Sequence, residues 1–447
     1  MPRRSRLKLS LIVVFLLIVI GGSVAYLTWR QSVPGVQVTG APKRAIGSRM
    51  PVTLVVEAAR GNVSRAEVRV VQGEAVTVVG RYEGRPTSRV EVVATLTPDG
   101  GIREGAGTLE VWAADDFWRP FGRAQRAAAS FPIAVDFTPP RLEVVAATPY
   151  VAPGGAGLVV LRAGDATRAE TRVATLSFPT FAFGSGGLRV GLFALPHDFT
   201  RGSALTVNAQ DEAGNTATRG VGIEVLPRRF RRDTIEVTDA LLQVKVAELL
   251  PQHPPGRALV EGFLTINRDQ RRQAEEEKRR LAAKTADRPL WDGAFVQPKN
   301  TKVFSNFAET RTYRYQGRDI DTQIHFGYDL ASTKQAPVPA ANNGAVVFAG
   351  PLTIYGNTII IDHGLGLMTL YGHLSGIRVK VGDHVSRGQE IGRTGTTGLA
   401  TGDHLHYEVL IQGVSVTPLE WWDGKWVRDR IEGPLASAGG RVPAKPR

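Results

Sequence analysis

The chain has 447 residues, 43% hydrophobic and 22% charged. That is too long for one compact domain, and the composition excludes wholesale disorder. There is no cysteine, which excludes a disulfide framework and a thiolate metal site, so any metal must be held by His, Asp or Glu. The formal net charge of +13 favours anionic partners, but the basic residues are spread along the chain without a compact basic-aromatic motif. A polyanionic envelope is therefore expected, and no nucleic acid.

Residues 1–30 read as a cytoplasmic tip and transmembrane anchor. Arg3, Arg4, Arg6 and Lys8 precede an uncharged, mainly apolar run from Leu9 to Leu27. As a helix this run spans about 28 Å, the thickness of a bilayer's hydrocarbon. The positive charges place the N-terminus in the cytoplasm and all later domains in the periplasm or extracytoplasmic space. Trp29 suits the far interface. The alternative is export followed by signal cleavage at the small-x-small site Ser23-Val24-Ala25. The anchor is favoured because the apolar run continues past that site.

Two β modules are expected next, at 33–137 and 138–227. Alternating segments such as Val52-Thr-Leu-Val-Val-Glu57 and Glu67-Val-Arg-Val-Val71 recur between Gly, Pro and Asp breaks. Thr138-Pro139-Pro140 interrupts the rhythm, which resumes with Arg141 to Val145 and ends at the Asp211-Glu-Ala-Gly-Asn215 turn. The Pro-Pro entry and that turn resemble bacterial immunoglobulin-like modules, implying one or two β-sandwiches that serve as a spacer or wall-binding arm.

Residues 228–290 read as a helical linker or hairpin. Thr238 is placed to cap one helix that stops before Pro251, and Ala258 to Ala286 reads as a second. In the second helix Glu275 and Arg279, and Glu276 and Arg280, stand at (i, i+4) spacing. The run is expected to be a solvated face, with a cover over an active site or a dock for an envelope protein as the sharper reading. From 295 to 430 short apolar strands return, including Ala345 to Phe348, Thr358 to Asp362 and Met368 to Tyr371. Residues 431–447, rich in Pro, Ala, Gly and Lys, read as a disordered tail.

Six of the eight histidines fall between His325 and His406. In Gly402-Asp-His404-Leu-His406-Tyr-Glu, residues two apart on a strand share a face, so His404 and His406 project together. In His325-Phe-Gly-Tyr-Asp329 the two polar side chains can reach one ion if the segment is extended. His325, Asp329 and His406 fill the three-ligand quota of a catalytic zinc site, and His373 in Tyr371-Gly-His373-Leu374 is a further candidate. His363 and His384 sit in turn-like contexts and read as structural or exposed. The Gly392 to Gly402 stretch lacks the Lys-Ser/Thr of a phosphate loop and reads as a hairpin turn.

From about Phe304 to Trp422 the chain resembles the catalytic domain of the lysostaphin-type zinc endopeptidases. The three histidine motifs occur in that family's order, framed by Ala336-Pro-Val-Pro-Ala340, Val381-Gly-Asp-His-Val385, Gly388-Gln-Glu-Ile-Gly392 and Gly395-Thr-Thr-Gly398. The resemblance implies a small antiparallel sheet with an open groove and one Zn2+ per chain held by His325, Asp329 and His406. It makes His404 the general base and His373 the second catalytic histidine, and peptidoglycan the substrate. The expected whole is multidomain and mainly β: a transmembrane helix, one or two immunoglobulin-like β-sandwich modules, a helical linker and a C-terminal antiparallel β-sheet metallopeptidase domain. The function expected is zinc-dependent hydrolysis of cross-link or stem peptide bonds. The alternative is a non-catalytic or latent regulator that activates amidases or binds the wall. Loss of a ligand would favour that alternative, and none is missing.

Overall fold

The computed structural model describes residues 3–123, 125–200, 202–254 and 257–439. It opens with one long helix, Arg3–Ser32, of which Lys8–Ser32 is long and apolar enough to cross a membrane. The apolar side chains from Leu9 to Leu27 are exposed, an arrangement that a membrane span and a signal sequence share. The rest is mainly β and forms two compact units, 1–140 with 210–216, and 141–209 with 217–447.

In the first unit an antiparallel sheet of Val36–Thr39, Val52–Ala58 and Arg89–Ala94 accompanies a five-stranded sheet centred on Gly105–Asp115 and Val63–Gln72. The alternation read from the sequence acts here as a sorting rule. Val52, Leu54 and Val56 are buried while Thr53 and Glu57 face solvent. Together with Val68, Val70, Val90, Leu109 and Val111 they make one core. The Asp211–Asn215 turn belongs to this unit: Asn215 donates its backbone N–H to Asp211 (2.9 Å) and its side-chain amide to the Asp136 carbonyl (2.9 Å).

The second unit contains two four-stranded sheets between 143 and 220 and the large sheet of the C-terminal region. That large sheet runs in the order Lys302–Ser305, Tyr328–Ala331, Leu405–Ile411, Leu367–Gly372, Asn357–Gly364, Gly344–Pro351 and His384–Val385, all antiparallel. Its central strands are buried on both faces, which accounts for their near-continuous apolar sequence. Ile359, Ile361, Tyr371, Tyr407, Val409 and Ile411 face a core shared with Val159, Leu192 and Trp421. Ile360, Met368, Leu370 and Leu410 face Phe263, Ile266, Ala274 and Leu281 of the helical region.

That second face is covered by 228–290, the segment read as a helical linker or hairpin, whose helices are Asp239–Leu249 and the run from Leu259 to Ala282. The segment starts with a strand, Arg232–Val237, paired in parallel with Glu309–Tyr315, in which Ile235 and Val237 alternate with the polar Thr234 and Glu236 and add to the same apolar cluster. Thr238 does cap helix Asp239–Leu249, accepting from the Leu241 N–H at 3.2 Å. The next helix runs from Leu259 to Ala282 through a π-helical stretch, Ile266–Gln270. It is not solvated all round, since Lys278 is fully buried. Glu275 turns inward with it and pairs at 2.6 Å, while Arg280 pairs with Glu277 at 2.6 Å, both at (i, i+3) spacing, and Glu276 has its (i, i+4) partner in Arg272 at 3.9 Å in place of the expected Arg280.

The tail also departs from its reading. Residues 431–439 are ordered, ending in helix Gly433–Ser437 with Ile431 and Leu435 buried in the core. Two apolar side chains at helical spacing were sufficient to dock a segment whose composition looked disordered. Residues 440–447 of the expected tail lie outside the described residues.

Candidate metal centre

Strand register brings the first donors together. Asp329 and His406 are direct partners on neighbouring antiparallel strands, and Gly372 faces His406 from the other side. His325 ends strand Arg318–His325, and the chain bends at Gly327 and runs on in the same direction into Tyr328–Ala331, the two strands pairing in turn with Glu309–Tyr315 and Lys302–Ser305. A side chain at Gly327 would stand 2.6 Å from the Tyr407 carbonyl and 2.7 Å from the His406 ring. Glycine there lets His325 and Asp329 close on the same point.

His325 Nε2, Asp329 Oδ1 and His406 Nδ1 lie 3.0, 2.9 and 3.1 Å from one another, and all three residues are buried. Each imidazole has its other nitrogen occupied. His325 donates Nδ1–H to the Asn306 carbonyl at 2.9 Å, and His406 donates Nε2–H to Glu408 Oε1 at 2.9 Å. Both tautomers are thereby set with a lone pair toward the shared point. Asp329 Oδ2 accepts from Arg311 at 2.7 Å, so only Oδ1 remains for the centre. Two nitrogens and one carboxylate oxygen, each oriented from behind, are the donor set of a zinc site with room for further ligands. The residues present therefore fit the metal implied by their pattern.

The remaining two histidines stand beside this trio. His404 and His373 have ring centroids 4.8 Å apart, and His404 Nε2 is 3.5 Å from Asp329 Oδ1. Each donates Nδ1–H to a carbonyl, His404 to Gly402 at 2.7 Å and His373 to Thr397 at 2.8 Å. Nε2 of each is thus left as the reactive nitrogen. His373 adopts φ +61°, a conformation L-residues rarely take, and its N–H is tied to the Tyr355 carbonyl at 2.7 Å. Thr397 is itself held in place, since Gly398 donates to Glu248 at 2.8 Å and Lys245 to the Thr396 carbonyl at 3.0 Å. Both partners come from helix Asp239–Leu249.

Burial sets the electrostatics. It pushes His325 down to about 4 against the pull of Asp329, and it drives His373 well below the usual imidazole range, aided by His404 and His406. Burial would raise Asp329, but the three surrounding histidines hold it well below the ordinary carboxylate value. His406 is raised because Asp329 and Glu408 outweigh its burial.

Three contributors carry weak or no sequence signal. Glu408 continues the His404-x-His406 alternation by one step, so it was findable as a third side chain on that face. Arg311 and Lys278 come from distant segments. Lys278 binds Glu408 Oε2 at 2.9 Å and Glu275 at 2.6 Å, completing a buried chain from the helix to His406. His363 is buried and bonded to Asn343 and Thr369, whereas His384 is exposed, and neither joins the site. The cavity at the centre holds about 130 Å³ and is walled by Ile235, Leu241, Phe263 and Arg271 opposite the histidines.

An antiparallel sheet thus presents a buried His-Asp-His set able to hold one metal ion, with two further imidazoles beside it. Residues 323–418 match the model of Peptidase family M23, and the C-terminal part of this chain is an M23 domain. Over 119 residues it is 40% identical to the peptidoglycan DD-endopeptidase ShyA of Vibrio cholerae, covering 27% of each chain. Over 133 residues it is 42% identical to the DD-carboxypeptidase/endopeptidase Mpg of Neisseria meningitidis, covering 29% of this chain and 31% of that one. The chain thus spans about a third or less of the length of these curated relatives. The catalytic domain of lysostaphin from Staphylococcus simulans is 32% identical, with 27% of this chain and 90% of that one covered and a TM-score of 0.24.

Proposed function

We propose that the protein is a membrane-anchored zinc endopeptidase that hydrolyses peptide bonds of peptidoglycan, in cross-links or stem peptides. The observation that carries this is the convergence of His325 Nε2, Asp329 Oδ1 and His406 Nδ1 beside two further histidines. The M23 match and the names of the relatives supply the substrate class.

His325, Asp329 and His406 would hold the zinc, which supplies Lewis acidity to polarise the scissile carbonyl and acidify a water. His404 Nε2 takes the proton of the attacking water, because its Nδ1 is committed to Gly402 and its burial keeps bulk water from competing. His373 is the second catalytic histidine: with its Nδ1 committed to Thr397, its Nε2 can accept the proton taken from the water and relay it to the leaving amine. Glu408 keeps His406 in the ligating tautomer. Helix Arg3–Ser32 spans the cytoplasmic membrane with its basic end inside, so both units face the periplasmic wall.

The test is digestion of purified peptidoglycan with mass spectrometry of the released fragments, with His406→Ala and chelator controls. Zinc-dependent loss of cross-linked fragments supports the reading. No cleavage by a zinc-loaded chain counts against it.

The narrow cavity favours a second element, namely that the helical region restricts entry of bulky substrate. Leu241 is partly exposed at this wall. Leu241→Ala should speed cleavage of cross-linked fragments more than that of a short peptide, and equal rates would remove the idea.

A further inference from the structure

Where the membrane helix ends, the first unit sends a loop back to it. Arg30 donates to the Trp118 carbonyl at 3.0 Å, Gln31 donates to the Gly122 carbonyl at 3.1 Å, and the Phe121 N–H returns to Gln31 at 3.2 Å. Arg30 also stacks over Phe117 at 4.2 Å and Trp118 at 5.2 Å. The base of the loop is rigid. Arg119 is buried, forks onto Asp115 at 2.7 and 3.1 Å and bonds the Pro34 carbonyl at 3.0 Å. So firm a loop could turn its aromatic side chains inward. It does the opposite, leaving Trp118 57% and Phe121 86% exposed.

Position supplies the occupant. A span from Leu9 to Leu27 fills the hydrocarbon, so Arg30 and Gln31 lie at the headgroup level, and a loop hydrogen-bonded to them lies there too. Aromatic rings with exposed apolar bodies are the side chains that settle at this boundary. Arg123 and Arg126 follow directly and line a basic cavity of about 450 Å³ with Arg65, Arg69 and Trp112. Among the described residues no carboxylate pairs with Arg123 or Arg126, which leaves both for lipid phosphate.

We propose that the Phe117–Arg123 loop is a second membrane contact: Trp118 and Phe121 enter the headgroup–acyl boundary of the bilayer crossed by helix Arg3–Ser32, with Arg123 and Arg126 on anionic phospholipid. This rests on the helix remaining as an anchor, as in the proposed function. It gives the first unit two points of attachment, and hence a set orientation on the membrane, which a single flexible tether does not provide.

The chain has no cysteine, so single cysteines can carry a polarity-sensitive nitrobenzoxadiazole probe without background. Full-length protein labelled at Phe15→Cys, Pro120→Cys or Val76→Cys is reconstituted in vesicles of phosphatidylethanolamine and phosphatidylglycerol. Lipids spin-labelled at shallow or deep acyl positions serve as quenchers. The expected result is deep quenching at position 15, shallow quenching with a blue shift at 120, and neither at 76. Both effects at 120 should be lost when Trp118→Ser and Phe121→Ser are combined. A water-like probe at 120 while position 15 is quenched overturns the proposal and leaves the anchor standing. Persistence at 120 in the double variant also overturns it, because proximity alone then suffices. Absence of quenching at 15 as well removes the anchor and this proposal together.

Discussion

Lys278 Nζ lies 2.9 Å from Glu408 Oε2, with both side chains fully buried, and the other oxygen of Glu408 lies 2.9 Å from His406 Nε2. A helix outside the matched M23 segment therefore holds the carboxylate that orients His406, a proposed zinc ligand. Lys278→Met leaves Glu408 buried without its cation and should cost about 3–5 kcal/mol in urea unfolding. Zinc affinity, measured by chelator competition, should fall about 10–100-fold. Adding Glu408→Gln should restore much of the stability but not the affinity. Recovery of both would show that the pair acts on folding alone.

The same pair makes a pH prediction. Burial opposes the charge of Lys278, but Glu275 and Glu408 raise its pKa above the ordinary 10.5. Its stabilising contribution is therefore complete below 10.5 and lost as pH climbs through the raised value. Burial would raise Glu408, but Lys278 and His406 hold it below the ordinary 4.5, so its contribution is complete above 4.5 and lost as pH falls through the lowered value. Between those limits the pair adds no slope to wild-type stability, whereas in Lys278→Met burial of Glu408 is no longer opposed by the cation and raises its carboxyl, so the gap between the two proteins should narrow as pH falls towards 4.5. A gap that stays flat down to pH 4.5 would contradict this.

Glu420 behaves in the opposite sense. Burial pushes its carboxyl up to about 7, against the pull of the Ala156 N–H and Arg228. From pH 4.5 to about 7 the unfolded chain releases this proton first, so the folded state loses stability across that window. Glu420→Gln should flatten the decline in thermal melts taken through the window. An unchanged slope would show that another group causes it.

Binding and turnover should separate within the five-residue site. Asp329→Asn and His406→Ala should lose zinc, read by metal analysis after dialysis. His404→Gln should keep zinc while cutting kcat by about 10²–10⁴, the range of general acid–base catalysis. His373→Asn is the apt partner variant, since asparagine tolerates the positive φ at this position and removes only the imidazole. Zinc loss in either of these last two would reassign that histidine to the ligand set.

Much of the molecule follows from local pattern. The Leu9 to Leu27 run makes a helix through unbroken apolarity, and the 52–57 alternation sorts its side chains as a half-buried strand must. His404-x-His406 shares a face because strand period is two. Helix 259–282 shows where local pattern ends. Its charges read as a wet surface, yet Lys278 is buried, because the side chains that neutralise it include one 130 positions away. Likewise 431–439 docks through Ile431 and Leu435, whatever its composition suggests. The sequence by itself determined which residue types stand at metal-binding spacing and which segments are apolar, since both depend on neighbours a few positions apart. Only the tertiary structure decided that Asp329 faces His406, that Arg311 and Glu408 orient their donors, and that a helix closes the second face of the sheet. Those contacts join segments far apart in the chain, and burial, which sets their energies, exists only once the chain has folded.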